Sequence, residues 1–465
     1  MLGYFAAKVS KTTVPLIPLD PKALKAWLAS QRQATKNWVK SNRFKAAHGQ
    51  ICLVPHRDGS VARVLFGLGR GADAFSWSAL PTSLPRGRYA LPSDVDPTLA
   101  EQAALGWGLG TYRFDRYKSD DRALATLVWP ERCDVARVTR TLNAMKLGRD
   151  LINTPAEDMN PAALTDTVRD LAKRFGGTCK VLTGKKLLDE NYPTVHAVGR
   201  AADFPPALAD LRWGNPDHPR VTLVGKGVCF DSGGLDIKSA AGMKLMKKDM
   251  GGAATAIAVA SMVMEAGLPI RLRCLIPAVE NAVSGNAMRP MDVITTRKGI
   301  TVEVGNTDAE GRLIMCDALA EADTESPELL IDFATLTGAA RVALGSELPA
   351  MFSTHDDVAE QFIAAGLRTG DPVWRMPLHQ PYRRHLDSRV ADICNIANTS
   401  YGGAVTAALF LQTFVESKKT RWVHVDTMAW HLTSRPGRPA GGEVMAARAC
   451  VEMLTARYGA SSSEA

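Results

Sequence analysis

Two stretches of the chain concentrate side chains able to hold cations and move protons. One, VGNTDAEGRLIMCDAL (304–319), places Asp308, Glu310 and Arg312 at a spacing of two. In an extended segment alternate residues share a face, so two carboxylates and a guanidinium would converge on one small volume. Carboxylates held that close repel, and one stays protonated unless a divalent cation comes between them. Taken alone, this cluster also fits a surface turn with a local ion pair. The other stretch, VGKGVCFDSGGLDIKSAAGMKLMKKDMGGAA (224–254), sets Lys226, Asp231, Lys238 and Asp249 among glycines. Glycine permits close backbone approach and unusual dihedral angles, so a tight irregular loop is expected there. Asp249 lies just ahead of GGAATAIAV, where a helix N-terminus favours a carboxylate. It can be a cap alone, or a cap that also binds metal.

Together the two stretches supply three aspartates, one glutamate, two lysines and one arginine. Oxygen-rich ligands suit hard or borderline divalent cations, and paired cations about 3.5–4 Å apart are a known device for hydrolysis. The chain has no H-E-x-x-H, against that mononuclear zinc-protease design, and no G-x-S-x-G nucleophile elbow. Ser232 in FDSGG has no histidine motif to complete a triad. The nine histidines are scattered, and one such as His424 in WVHVD reads as structural.

The elements that must position these groups alternate from about residue 162 onward. Strand-like apolar runs are VTLVGKGV (221–228), IRLRCLIPAV (270–279), LLIDFATL (329–336) and WVHVDT (422–427). Helical runs are GGAATAIAVASMVMEAG (251–267), LIMCDALAEA (313–322) and AVTAALFLQTFV (404–415). Near-continuous apolar strands alternating with helices predict an α/β domain whose mostly parallel central sheet is covered by helices on both faces. Active groups in such folds gather where strands end. Residues 1–133 read as a small N-terminal α/β domain. It has a hairpin signal at Asp58-Gly59 within 51–69 and helical spacing over 96–114. The periodic stretch from Asp134 to Asp150 and the turn NTPAEDMNP (153–161) read as a connecting helix and linker, residues 134–161. Residues 162–465 then form the catalytic domain, and Ser461 to Ala465 read as a frayed tail.

A length of 465 residues suits two domains at roughly 100–200 residues each. No run approaches the roughly 20 apolar residues that span a bilayer, and the first residues carry no secretory signal pattern. The eight cysteines are scattered without a C-x-x-C pair, which suits reduced, buried thiols in a cytoplasmic protein. Net charge is +8 and the pI about 9.0, which permits loose association with nucleic acid or acidic surfaces. The basic residues are spread out, with short clusters such as Arg383–Arg384 and Lys418–Lys419, so a basic surface is the simpler reading.

NTDAEGRL (306–313) resembles the signature octapeptide of the leucine aminopeptidase, or cytosol aminopeptidase, family. VGKGVCFDSGG, Lys238, MKKDMGGAA, DFATLTGA (332–339), YGGAVTAALFLQTFV (401–415) and WVHVDTMAW agree with family segments in order and spacing. The resemblance is dense over roughly 140–450 and weak in the first 130 residues. It implies two divalent ions, zinc or manganese, with Lys226, Asp231, Asp249, Asp308 and Glu310 as ligands, Asp231 and Glu310 bridging. Lys226 would bind as a neutral amine, which requires a strongly lowered pKa. Lys238 would stay charged and polarise the scissile carbonyl, and Arg312 would hold a bicarbonate ion. Met246, Thr335 and Gly338 would help line an apolar pocket for the first side chain, and backbone atoms around Leu336 would orient the substrate. The implied activity is removal of Leu- or Met-like residues from peptides with a free N-terminus, by a homohexamer; that no membrane is involved is expected from the lack of a spanning apolar run.

The chain departs from the family pattern at Lys238-Ser239, where a Lys-Pro step is usual, and at Asp236, which could tune Lys238. It departs again in GRPAGGEVM (437–445), which leaves the far wall of the pocket open. Two other readings stand beside the aminopeptidase. One is a nucleic-acid-binding regulator on the same fold, which the charge permits. The other is a different two-metal hydrolase, such as a phosphatase, in which Lys238 and Arg312 meet phosphate.

Overall fold

The computed structural model describes residues 1–120 and 122–459, so the expected tail at 461–465 lies outside the described residues. The chain forms two compact units, Met1–Lys146 with Thr433–Ala440, and Leu147–Leu432 with Gly441–Ala465. The division falls inside helix α1 (Val135–Asn153).

The first unit is built on a six-stranded sheet, in the order Phe5–Ala6, Thr126–Val128, Arg88–Ala90, Val14–Leu19, Val61–Gly67 and Ile51–Pro55. The last two form the expected antiparallel hairpin around Asp58-Gly59, with Gly59 at φ +84°. The other pairings are parallel. The expected helix over 96–114 forms as Pro97–Gly110, its first turn capped by Asp96, which accepts from Thr98 N at 2.9 Å.

In the second unit the turn over 153–161 ends in Asn160. Asn160 caps helix α2 (Pro161–Arg174) by accepting from Ala163 N at 3.0 Å. The sheet strands are β1 (Thr178–Thr183), β2 (Ala207–Trp213), β3 (Arg220–Gly225), β4 (Gly227–Asp231), β5 (Arg271–Asn281), β6 (Leu329–Ala334), β7 (Ala350–Ser353), β8 (Trp374–Arg375) and β9 (Arg421–Asp426). Their order is β8-β7-β9-β6-β3-β5-β2-β1, with β4 also paired to β5. The centre, β9-β6-β3-β5, is parallel, as is β4 on β5. Strands β7, β2 and β1 join in antiparallel pairings. The sheet is therefore mostly parallel, as its apolar runs predict.

Helices α3 (Gly251–Ala266), α4 (Glu310–Thr324), α5 (Gly403–Gln412) and α6 (Ala447–Tyr458) complete the frame. One face of the sheet presents Val224, Leu275, Leu330 and Trp422, packed in a single core with Leu313 and Ile314 of α4 and Leu409 of α5. Side chains alternate along a strand, so the equally buried Leu223, Cys274 and Ile331 point to the opposite face. There α3 packs on β3 and β6. Burial on both faces is why these strands read as continuous apolar runs rather than alternating ones. No helix among the described residues is long and apolar enough to cross a membrane, and all eight cysteines are free thiols.

Candidate metal centre

The parallel strands deliver their carboxyl ends to one edge of the second unit, and the chemistry-bearing residues collect there. Lys226 follows β3, Asp231 is the last residue of β4, and Thr335 follows β6. Asp249 lies in a short 3-10 turn (Met246–Met250) ahead of α3, and Glu310 opens α4.

Lys226 Nζ lies 2.7 Å from Asp249 Oδ2, 2.9 Å from Glu310 Oε1 and 2.9 Å from the Thr335 carbonyl. Lys238 Nζ lies 2.8 Å from Asp231 Oδ2 and is also paired with Asp308. Asp231, Asp308 and Glu310 each offer an oxygen, all within 4.8 Å of one another, and Asp249 joins them through Lys226. Supporting bonds fix these groups. Asp231 Oδ1 accepts from Gly233 N and from Asn281 Nδ2, each at 2.8 Å. Asp249 Oδ1 accepts from Thr335 Oγ1 at 2.8 Å. Gly311 gives the Lys226 side chain room. A Cβ there would stand 2.4 Å from Lys226 Cε and 2.6 Å from its Nζ.

Burial raises the Glu310 carboxyl to about 8, helped by Asp231 and opposed by Lys226. Asp231 is pushed up to about 6, by burial first and then by Asp249. The neutral amine expected of Lys226 does not arise from the protein's own groups. Burial works against its ammonium, but Asp249, Glu310 and Asp231 outweigh that and raise its pKa. Positive charge added beside it would favour the free amine. Burial likewise opposes the charge on Lys238, and Asp231 and Asp308 more than offset it, so Lys238 is held as an ammonium.

The extended reading of Asp308, Glu310 and Arg312 fails. The chain turns at 306–309 and is helical from Glu310. Two residues along a helix is about 200° around its axis, so Arg312 departs from Glu310 instead of sharing its face. Its Nη1 donates to the Asn395 carbonyl at 2.5 Å, its Nε is buried without a hydrogen-bond partner among the described residues, and it does not line the cavity described below. Burial lowers its pKa to about 10. Asp236 does not face Lys238 either. Its carboxylate accepts from Thr307 N at 2.8 Å, and its own N–H donates to Thr307 Oγ1 at 2.8 Å, which ties the two motif loops together. Ser239 takes over as cap of the short helix Ala240–Met243, accepting from Gly242 N at 3.2 Å. His424 is structural, buried with Nδ1 2.6 Å from Asp332 Oδ1.

A cavity of about 630 Å³ opens on these groups, lined by all five expected ligands and by Lys238. Met246, Thr335, Leu336 and Gly338 line it too. The Leu336 N–H is committed to Asp426 Oδ1 at 3.0 Å, so any backbone contact of that residue with a substrate falls to its carbonyl. The far wall comes from Leu348, Thr427 and Met428, with no lining residue from 437–445. There Glu443 is instead buried against Arg149 at 2.7 Å. Sequence reasoning passed over Asp426, which ends β9 and holds the loop after β6 by accepting from Leu336 N, Thr337 N and Thr337 Oγ1. Its position in WVHVD, at the end of a strand-like run, was the available signal. It also passed over Lys248, buried in the cavity wall with its pKa lowered by that burial.

The donor set fits divalent cations. Four carboxylates face two ammonium groups, and Glu310 Oε2 is buried without a hydrogen-bond partner among the described residues. Buried carboxylates in excess of their counter-charges are strongly unfavourable unless cations join them, and oxygen donors suit hard or borderline ions.

The chain matches the model of the cytosol aminopeptidase family catalytic domain over 146–451 and that of the M17 aminopeptidase N-terminal domain over 14–130. The second match covers the part where the sequence resemblance was weak. A Chlorobium phaeobacteroides protein named "Probable cytosol aminopeptidase" is 37% identical over 454 residues, 88% of this chain and 90% of that protein. The crystal structure of a cytosol aminopeptidase from Coxiella burnetii superposes with a TM-score of 0.92 at 48% identity, covering 98% of this chain and 100% of that one. The bottromycin maturation enzyme BotP in complex with Mn superposes with a TM-score of 0.86 at 34% identity, covering 96% and 99%. Motif, fold and strand-end geometry thus agree along nearly the whole chain, which belongs to the cytosol aminopeptidase family of metal-dependent peptide hydrolases.

Proposed function

We propose that the chain removes single Leu- or Met-like residues from the free N-termini of peptides, using two divalent cations, zinc or manganese. Lys226, Asp231, Asp249, Asp308 and Glu310 would hold them. The observation that carries this reading is the convergence of these five residues, from stretches about eighty positions apart in sequence, on one cavity at the strand ends.

When bound, such cations supply Lewis-acid polarisation and a hydroxide-like nucleophile near neutral pH. The protein's own groups divide the remaining work. Lys238, kept charged by Asp231 and Asp308, donates to the scissile carbonyl as negative charge develops there. Loss of one such donor typically costs about 10²–10³ in rate. Asp426 fixes the loop of Leu336 and Thr337, whose backbone orients the peptide. Met246, Thr335 and Gly338 bound the pocket for the first side chain. The resemblance would give Arg312 a bicarbonate ion to hold; its Nε is buried without a hydrogen-bond partner among the described residues, and its side chain stands outside the cavity lining. A homohexamer acting in the cytoplasm belongs to the same reading, supported by the family and by eight free thiols. Light scattering that finds single chains of 50.1 kDa would remove the hexamer.

Hydrolysis of a panel of aminoacyl-anilides and their N-acetylated forms, before and after chelation, tests the activity. Cleavage should depend on metal, be fastest for Leu and Met, and vanish on acetylation. Equal cleavage of blocked substrates would overturn exopeptidase action.

A further inference from the structure

Lys247 and Lys248 are neighbours in sequence and part company in space. Lys247 Nζ donates to the Asn153 carbonyl at 2.6 Å and lies 5.7 Å over the Trp430 ring. Lys248 turns into the wall of the cavity, where it is only 6% exposed. No hydrogen bond or ion pair engages its ammonium among the described residues. The adjacent carboxylates are already taken. Asp249 serves Lys226 and Thr335, and Asp426 accepts from Leu336 and Thr337. The other charged groups that act on Lys248 are Lys226 and Arg341, both cationic. Arg341 lines the same cavity, and among the described residues its guanidinium has only a 4.0 Å contact with Met428 Sδ.

A buried ammonium that faces other cations is unfavourable unless something anionic meets it. The cavity is the one direction from which that group can arrive. The same cavity is lined by thioethers and aliphatic groups from Met246, Met428 and Leu348. Such walls accept a methylene stem, and the amine accepts what lies at its end. An aliphatic stem that ends in a carboxylate is the side chain of glutamate. We infer that Lys248 is a specificity-determining residue that admits Glu as the first residue of the peptide, alongside the apolar residues the methionine walls accept. The inference rests on the aminopeptidase reading above and deepens it.

Anilides test it because they carry no α-carboxylate, so a charge effect can come only from the first side chain. With the Mn-loaded full chain, kcat/KM for Glu-anilide should exceed that for the isosteric Gln-anilide by about tenfold or more, the scale of one charge-assisted hydrogen bond. Lys248→Met should bring the Glu/Gln ratio to about one, and Lys248→Arg should keep it well above one. The wild-type Glu/Gln ratio needs no variant, so the test survives a substitution that fails to fold. A wild-type ratio near one, or a ratio that Lys248→Met leaves unchanged, overturns the assignment. A Lys248→Met defect confined to Leu-Gly relative to Leu-anilide would place the amine on the peptide's α-carboxylate and overturn it as well. Absence of cleavage of Leu- and Glu-anilide alike would instead refute the aminopeptidase reading.

Discussion

Gly311→Ala ought to be harmless by local rules and damaging by tertiary ones. Gly311 is the second residue of α4, and alanine in place of glycine inside a helix is worth about 1 kcal/mol of added stability. The new methyl carbon, however, would stand 2.4 Å from Lys226 Cε and 2.6 Å from Nζ. The tip of a lysine can move, but here only by leaving Asp249 at 2.7 Å and Glu310 at 2.9 Å. Disrupting a buried pair costs about 3–5 kcal/mol. Set against the helix gain, the net loss is about 2–4 kcal/mol, or roughly 4 °C or more in Tm. Displacing a ligand should also weaken cation binding by at least 10–100-fold, the range for disturbing a metal's surroundings. Calorimetric unfolding and titration with Mn²⁺ measure the two effects. Lys226→Ala supplies the control, because without that side chain Gly311→Ala should turn neutral or stabilising. An alanine variant with unchanged Tm and unchanged Mn²⁺ affinity would refute the idea that Lys226 is held where it stands by its carboxylate partners.

Asp308→Ala removes a carboxylate whose side chain is 32% exposed. Turnover of Leu-anilide should fall by more than about 100-fold while Tm changes by less than about 2 °C, and full activity would exclude Asp308 from the centre. Asp236→Ala cuts the tie to Thr307. It should cost about 1 kcal/mol in denaturant unfolding and lower Mn²⁺ affinity, with Asp236→Asn intermediate, and an unaltered affinity would make the tie irrelevant to the site. Glu310 at about 8 and Asp231 at about 6 hold protons more readily than free carboxyls do. In chelated protein they contribute stability at about pH 4 that is lost as pH rises through those values, whereas cations compete with the same protons. The gap in Tm between Mn-loaded and chelated protein should therefore widen from about pH 5 to about pH 8, and a constant gap would contradict the shared site.

The central strands were legible because burial on both faces leaves a local mark, the continuous apolar run. Thus β3, β6 and β9 lie where VTLVGKGV, LLIDFATL and WVHVDT place them. Toward the edges, β7 and β2 run antiparallel to β9 and β5, and nothing in their composition announces direction, which depends on where the connection re-enters the sheet.

Residue type alone determined the donor set, because carboxylates and lysines flanked by glycine carry their chemistry wherever they are placed. Tertiary structure decided which of them meet. Helix α4 starts at Glu310 and so swings Arg312 away to Asn395. Asp236 turns from Lys238 to Thr307, and of two successive lysines one finds the Asn153 carbonyl and the other the cavity. Partners, burial and charge balance are set by segments tens to hundreds of residues apart, and no local pattern carries that information.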